Sequence, residues 1–218
     1  MKIPVVRKIL EANDHMADEL KKTLAAHQIL CLNLMSSPGA GKTTLLEQTL
    51  RGLSADMTMA VIEGDVQTTN DAERIAATGA QAIQINTDGA CHLDSAMVQE
   101  AVKQTDLKAL DILFIENVGN LVCPAAFNVG EDFKITLLSL PEGDDKPEKY
   151  PSMFARSQLL LINKIDLLPY MDFDLERASK AARTINPDIE VLTVSAKTGE
   201  GMDEWYTWLK SRRQEKKG

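Results

Sequence analysis

The sequence predicts an α/β fold: a mainly parallel β-sheet flanked by helices on both faces. Three observations carry that expectation. Strand-like apolar runs alternate with helical segments along the chain. A glycine-containing loop joins the first run to a helix, and short polar segments close four of the later runs. Sheets of this kind present ligand groups outside the carboxyl ends of their strands.

Residues 1–27 read as a helical extension. Val6, Ile9, Leu10, Met16, Leu20 and Leu24 recur near helical spacing with Lys and Glu between them. The helix is expected to pack on a single domain over 28–218, with docking of a partner as the second reading. The first apolar run, Ile29 to Met35, leads into Ser36-Ser37-Pro38-Gly39-Ala40-Gly41-Lys42-Thr43 and then a helical pattern from Thr44. Strand, loop, helix is the context of a phosphate-binding loop. Gly39 and Gly41 let backbone N–H groups turn inward around a phosphate, and the helix start adds free N–H groups and its positive dipole end. Residues Ser37 to Thr44 are therefore expected to cradle the phosphates. Lys42 would reach the β/γ-phosphates and the Thr43 hydroxyl would ligate Mg²⁺. Ser36 stands where the first glycine of the usual pattern falls.

Glu63-Gly64-Asp65 ends the run Met59 to Ile62, and Glu116-Asn117-Val118-Gly119 ends Asp111 to Ile115. Asp65 is expected to hold Mg²⁺ or its waters. Glu116 stands where nucleotide hydrolases often carry an Asp, with Gly119 free to meet the γ-phosphate through its backbone. Asn163-Lys164-Ile165-Asp166 follows Leu159 to Ile162, and Ser195-Ala196-Lys197 follows Glu190 to Val194. A carboxylate at Asp166 accepts from both N1–H and the 2-amino group of guanine, donors that adenine lacks. Asn163 and Lys164 would brace that loop, and Ser195 to Lys197 would close over the base. The expected nucleotide is GTP.

Cys91 and His92 follow a turn at Asp88-Gly89-Ala90 and are expected to open a helix; Cys123 lies four residues beyond Gly119. Thiolates with one imidazole suit Ni²⁺ or Zn²⁺ and suit Mg²⁺ or Ca²⁺ poorly. Three ligands do not close a four-coordinate site, which a symmetric dimer would complete. The plainer reading is that cysteine is a small buried hydrophobe. Cys31, inside the first apolar run, fits it, and His15 and His27 read as surface or packing residues.

The stretches SSPGAGKTT, EGDVQTTNDAERI, NTDGACHLD, ENVGNLVCPAAFNVGE and NKIDLLPY together resemble HypB, the hydrogenase-maturation GTPase family that inserts nickel. The resemblance runs from about Ile3 to Trp208. It implies a SIMIBI-class P-loop GTPase that dimerises when GTP-bound, with its metal site at the interface on Cys91, His92 and Cys123. It also implies a HypA-like partner metallochaperone and the hydrogenase large subunit as client. The related urease-serving family carries Cys-Pro-His instead. The amino-terminal Cys-rich or His-rich stretches of some members have no counterpart here, and the signature lysine of the wider class falls at Ser37.

Composition limits the alternatives. A formal charge of −8 over 218 residues argues against nucleic acid as the main partner. No run approaches a membrane span, and no signal peptide opens the chain. Three cysteines without framework spacing point to a reducing compartment, the cytoplasm. A signalling GTPase would leave the cysteines structural, a P-loop kinase would lack the guanine motif, and a plain metal-binding protein would need no phosphate loop. Two further expectations concern the periphery: a solvated mobile loop over Pro141 to Glu148, and a fraying charged tail from Lys210.

Overall fold

The computed structural model describes residues 5–65 and 70–217, with side chains from Leu10 onward. Val6 and Ile9 of the amphipathic pattern, and residues 66–69 of the EGDVQTTNDAERI stretch, lie outside the described side chains.

Among the described residues, seven strands form one sheet in the order β3-β2-β4-β1-β5-β6-β7. They are β1 (Leu30–Ser36), β2 (Met59–Asp65), β3 (Gln81–Asn86), β4 (Ile112–Glu116), β5 (Phe133–Ser139), β6 (Leu159–Asn163) and β7 (Glu190–Val194). Every neighbouring pair is parallel. The central strand β1 is buried along its whole length, as an almost uninterrupted apolar run requires when both sheet faces are covered. Leu30, Leu32 and Leu34 point to one face, where α2 (Lys42–Leu53) and α9 (Met202–Lys217) supply Leu45, Leu46, Trp205 and Leu209. Cys31 points to the other, into the cluster built by Leu20 and Leu24 of α1 (Val5–Ala26) and Val98 and Val102 of α4 (Ser95–Val102). Under β5 and β6, α7 (Pro151–Arg156) and α8 (Leu175–Ile185) add Met153, Phe154, Ala178 and Ala182. Among the described residues, three short α-helices, α3 (Asn70–Ala76), α5 (Cys123–Ala126) and α6 (Lys146–Lys149), and two 3-10 helices, Leu140–Glu142 and Ile165–Tyr170, complete the fold.

Four local expectations are corrected. Cys91 and His92 do not open a helix: Asp94 caps α4 by accepting from the Met97 N–H at 2.9 Å, so the helix starts at Ser95 and the two ligands stay in the loop. The first helix after the phosphate loop begins at Lys42, two residues before the apolar pattern suggests. The stretch 141–148 is folded into turns and α6, because Arg177 of α8 pairs with Asp144 at 3.1 Å and with Glu148 at 3.4 Å. The tail remains helical to Lys217, with Arg213 buried against Asp111 at 2.8 Å and Lys216 on Asp132 at 2.6 Å. No helix among the described residues is long and apolar enough to cross a membrane.

Candidate functional site

The phosphate loop leaves the carboxyl end of β1 and turns into α2. Its two glycines both adopt positive φ, +74° at Gly39 and +100° at Gly41. At Gly41 a Cβ would also lie 2.7 Å from Asn163 Nδ2, so the backbone there must be bare. Ser36, in place of a glycine, accepts a hydrogen bond from the Lys42 ammonium at 3.0 Å through its buried hydroxyl. Thr43 donates to Glu116 Oε1 at 2.9 Å. Gly119 lies against the loop from the other side: a Cβ would come within 2.9 Å of Pro38 Cα and N.

Gly39, Gly41, Lys42, Thr43, Glu116 and Gly119 line a cleft of about 550 Å³ together with Glu63, Asp65 and Arg74, a volume in the range of small-molecule sites. Glu63 and Glu116 are direct register partners on β2 and β4. Both are buried, and the Oε2 atom of each has no hydrogen-bond partner. Burial, then the Glu116 and Asp65 charges, raise Glu63 from 4.5 to about 8. Burial raises Glu116 to about 7 against the opposing pull of Lys42 and the Thr43 hydroxyl. Orphaned carboxylate oxygens beside a threonine hydroxyl and Asp65 form the hard oxygen set that Mg²⁺ takes.

The guanine-motif residues meet at the ends of β6 and β7. Asn163 donates to the Ala40 carbonyl at 2.9 Å and accepts from the Ala196 N–H at 3.2 Å, which ties three loops to one amide. Lys164, at φ +66°, reaches back to the Gly39 carbonyl at 2.7 Å. The Ser195 hydroxyl donates to Asp166 Oδ1 at 2.6 Å, while Lys197 lies exposed in the following turn. Ser37 and Thr44 are half-buried beside the loop, and Thr44 accepts from Arg74 at 3.1 Å.

Cys91, His92 and Cys123 come together, their ligand atoms all within 4.8 Å of one another. Cys91 is exposed and the other two half-buried, whereas Cys31 is fully buried in the core. Burial lowers His92, opposed by Asp94, which favours the neutral imidazole that can ligate a metal. A hydrogen bond with Cys91, then burial, raises the Cys123 thiol. Two thiols this close resist ionising together unless a cation joins them.

The surroundings hold the ligands in place. The His92 ring stacks on Phe127 with centroids 3.8 Å apart. Asn120 donates to the Cys91 carbonyl at 3.3 Å and accepts from the Cys123 N–H at 3.4 Å. Asn13 of α1 accepts from the Ser95 N–H at 2.9 Å and donates to the Asn128 carbonyl at 2.8 Å, so it grips both ligand-bearing loops. Lys134 of β5 donates to the Phe127 and Ala125 carbonyls at the end of α5, the helix that Cys123 opens. Sequence reasoning did not single out Glu63, Arg74, Asn13, Asn120, Phe127 or Lys134. Only Glu63 carried a signal, as the other acid of a strand-ending pair.

Residues 30–193 match the family described as CobW/HypB/UreG, nucleotide-binding domain. The hydrogenase maturation factor HypB of Escherichia coli strain K12 is 54% identical over 205 residues, which span 94% of this chain and 71% of that protein. The hydrogenase/urease maturation factor HypB of Helicobacter hepaticus is 43% identical over 217 residues, 97% of this chain and 88% of that protein. Among solved structures, HypB from Helicobacter pylori in complex with nickel superposes with a TM-score of 0.89 at 38% identity, covering 94% of this chain and 96% of that one.

Proposed function

Because the chain belongs to the HypB hydrogenase maturation factors of the CobW/HypB/UreG family, we propose that it is a GTP-hydrolysing metallochaperone. In this reading it binds nickel at a GTP-dependent dimer interface and assists nickel insertion into [NiFe]-hydrogenase. The observation that carries the reading is the convergence of Cys91, His92 and Cys123 within 4.8 Å, on loops that leave the same sheet edge as the phosphate loop. A P-loop switch without metal cargo has no use for that cluster.

GTP would be cradled by residues 37–44, with its base read by Asp166 and held by Asn163, Lys164 and Ser195 to Lys197. Mg²⁺ would be held by Thr43 and Asp65, where it supplies charge neutralisation of the phosphates. Glu116 and Gly119 would sense the γ-phosphate. The sequence offers no obvious residue to activate the attacking water, so turnover of the isolated protein is expected to be slow. Three ligands leave the metal coordination open, and a second copy would close it. The exposed Val122 beside Cys123, at 60% exposure, supports an interface there. Domain boundaries at 1–27 and 28–218, a HypA-like partner, the hydrogenase large subunit as client and a cytoplasmic address belong to the same proposal.

Native mass spectrometry with nickel, Mg²⁺ and either a non-hydrolysable GTP analogue or GDP tests it. The expected result is a dimer that retains nickel only with the analogue, and neither Cys91→Ala nor Cys123→Ala retains it. A monomer that binds the analogue and no nickel would mean structural cysteines and a signalling switch. Zinc competes for the same ligands, so both metals belong in the titration. The Helicobacter hepaticus relative, named for hydrogenase and urease together, makes urease the second client to assay.

A further inference from the structure

The nucleotide cleft and the metal ligands are joined by more than the three residues of chain between Gly119 and Cys123. Asn117, the first residue past β4, is 1% exposed. Its Nδ2 donates to Asn33 Oδ1 of β1 at 3.2 Å, and its N–H to the Leu34 carbonyl at 3.0 Å. Its Oδ1 accepts twice, from the Val118 N–H at 3.0 Å and from the Leu93 N–H at 3.1 Å. Both acceptor positions of that oxygen are thus used, one by the segment that faces the γ-phosphate and one by the residue after His92.

Leu93 is itself held on a second side. Its side chain is fully buried and covers Gly64, where a Cβ would lie 2.8 Å from Leu93 Cδ1. Gly64 separates Glu63 from Asp65, so the backbone step that carries His92 is wedged between the two acidic strand ends. Gly119 meanwhile touches Pro38 of the phosphate loop. A phosphate entering that contact would press on Gly119 and Val118, and the oxygen that Val118 shares with Leu93 is the link through which a shift would pass.

We propose that Asn117 is the positioning residue that transmits nucleotide state to His92, by bridging the Val118 and Leu93 amides. The inference rests on the nickel–GTP linkage proposed above. Asn120, by contrast, acts inside the metal site, binding the Cys91 loop to Cys123. Asn117 spans the two sites, lining the nucleotide cleft on one side and holding the residue after His92 on the other.

The test is a thermodynamic cycle: nickel affinity in the GDP and GTP-analogue states, for the parent and for Asn117→Ala. Allosteric couplings typically amount to about 5–150-fold. The parent is expected to show a ratio in that range, and the variant a ratio within about twofold of one, with GDP-state nickel affinity close to the parent's. A merely structural asparagine would lower both nickel affinities together and leave the ratio intact, which would overturn the proposal while the nickel–GTP reading stands. A parent without any ratio overturns both. Should the variant fail to fold, hydrogen exchange of the Leu93 amide in the parent reads the same contact. Its protection is expected to differ between the two nucleotide states, and identical exchange overturns the proposal.

Discussion

Replacing Lys134 by methionine isolates the cation that anchors the Cys123 helix. The ammonium donates to the Phe127 carbonyl, lies 3.4 Å from that of Ala125 and 3.5 Å from that of Pro124, and pairs with Glu131 at 3.0 Å. The Lys134 and Glu131 side chains are 14% and 4% exposed. Methionine keeps the apolar stem and removes the charge, leaving Glu131, among the described residues, with the Val129 amide at 2.7 Å. Removing one partner of a buried ion pair costs about 3–5 kcal/mol. The surviving amide bond favours the lower end, about 3 kcal/mol. At about 2–4 °C per kcal/mol for a chain of this size, the thermal midpoint of the nucleotide-free protein should fall by about 6–12 °C. Nickel affinity should fall as well, because α5 and Phe127 lose their anchor, while GDP affinity stays within about threefold. Adding Glu131→Gln should recover most of the midpoint, since the stranded charge is then gone. Calorimetric melting with parallel nickel and GDP titrations measures all of this. A drop below about 2 °C with unchanged nickel affinity would refute the anchoring argument.

Other outcomes follow from the cleft. Glu63 and Glu116, raised to about 8 and about 7, keep protons in the fold that an unfolded chain releases near 4.5. The stability they contribute is full below that unfolded value and is lost as pH rises through the folded ones. The midpoint of the nucleotide-free parent should therefore fall more steeply between about pH 5 and 8 than that of Glu63→Gln, and equal slopes would count against this account. Gly119→Ala sets a Cβ against Pro38 backbone that cannot swing aside; we expect a stability loss of about 1–3 kcal/mol and no analogue-induced dimer, as judged by sedimentation. Asp166→Asn removes a carboxylate held by Ser195. With about 1.5–3 kcal/mol per charge-assisted hydrogen bond lost, GTP affinity should fall about 100-fold or more in favour of xanthine nucleotides, and unchanged GTP affinity would overturn the guanine assignment.

The fold was legible because burial on both faces of a parallel sheet writes itself into contiguous apolar runs, and β1, β2, β4 and β6 are such runs. Motif residues were legible because phosphate and guanine chemistry fixes their types at short spacing. What stayed hidden depends on partners distant in sequence. Asn13 is 82 residues from Ser95 and 115 from Asn128, and no local pattern marks it. Arg177, 33 residues from Asp144, turned an expected mobile loop into a folded one. The tail cations found Asp111 and Asp132 only because the topology brings α9 back beneath β1, β4 and β5.

That last arrangement separates two tasks. Asp111 and Asp132 precede β4 and β5, so the clamps from Arg213 and Lys216 fasten the amino edge of the sheet. Every group assigned to nucleotide or metal sits on the carboxyl edge, where one oxygen each of the buried Glu63 and Glu116 remains without a partner. Ion pairs fasten one rim, and unpartnered carboxylate oxygens collect at the other. Reinforcing the amino rim should therefore raise robustness without taxing turnover, and a surface tether placed there would leave the working rim facing solution.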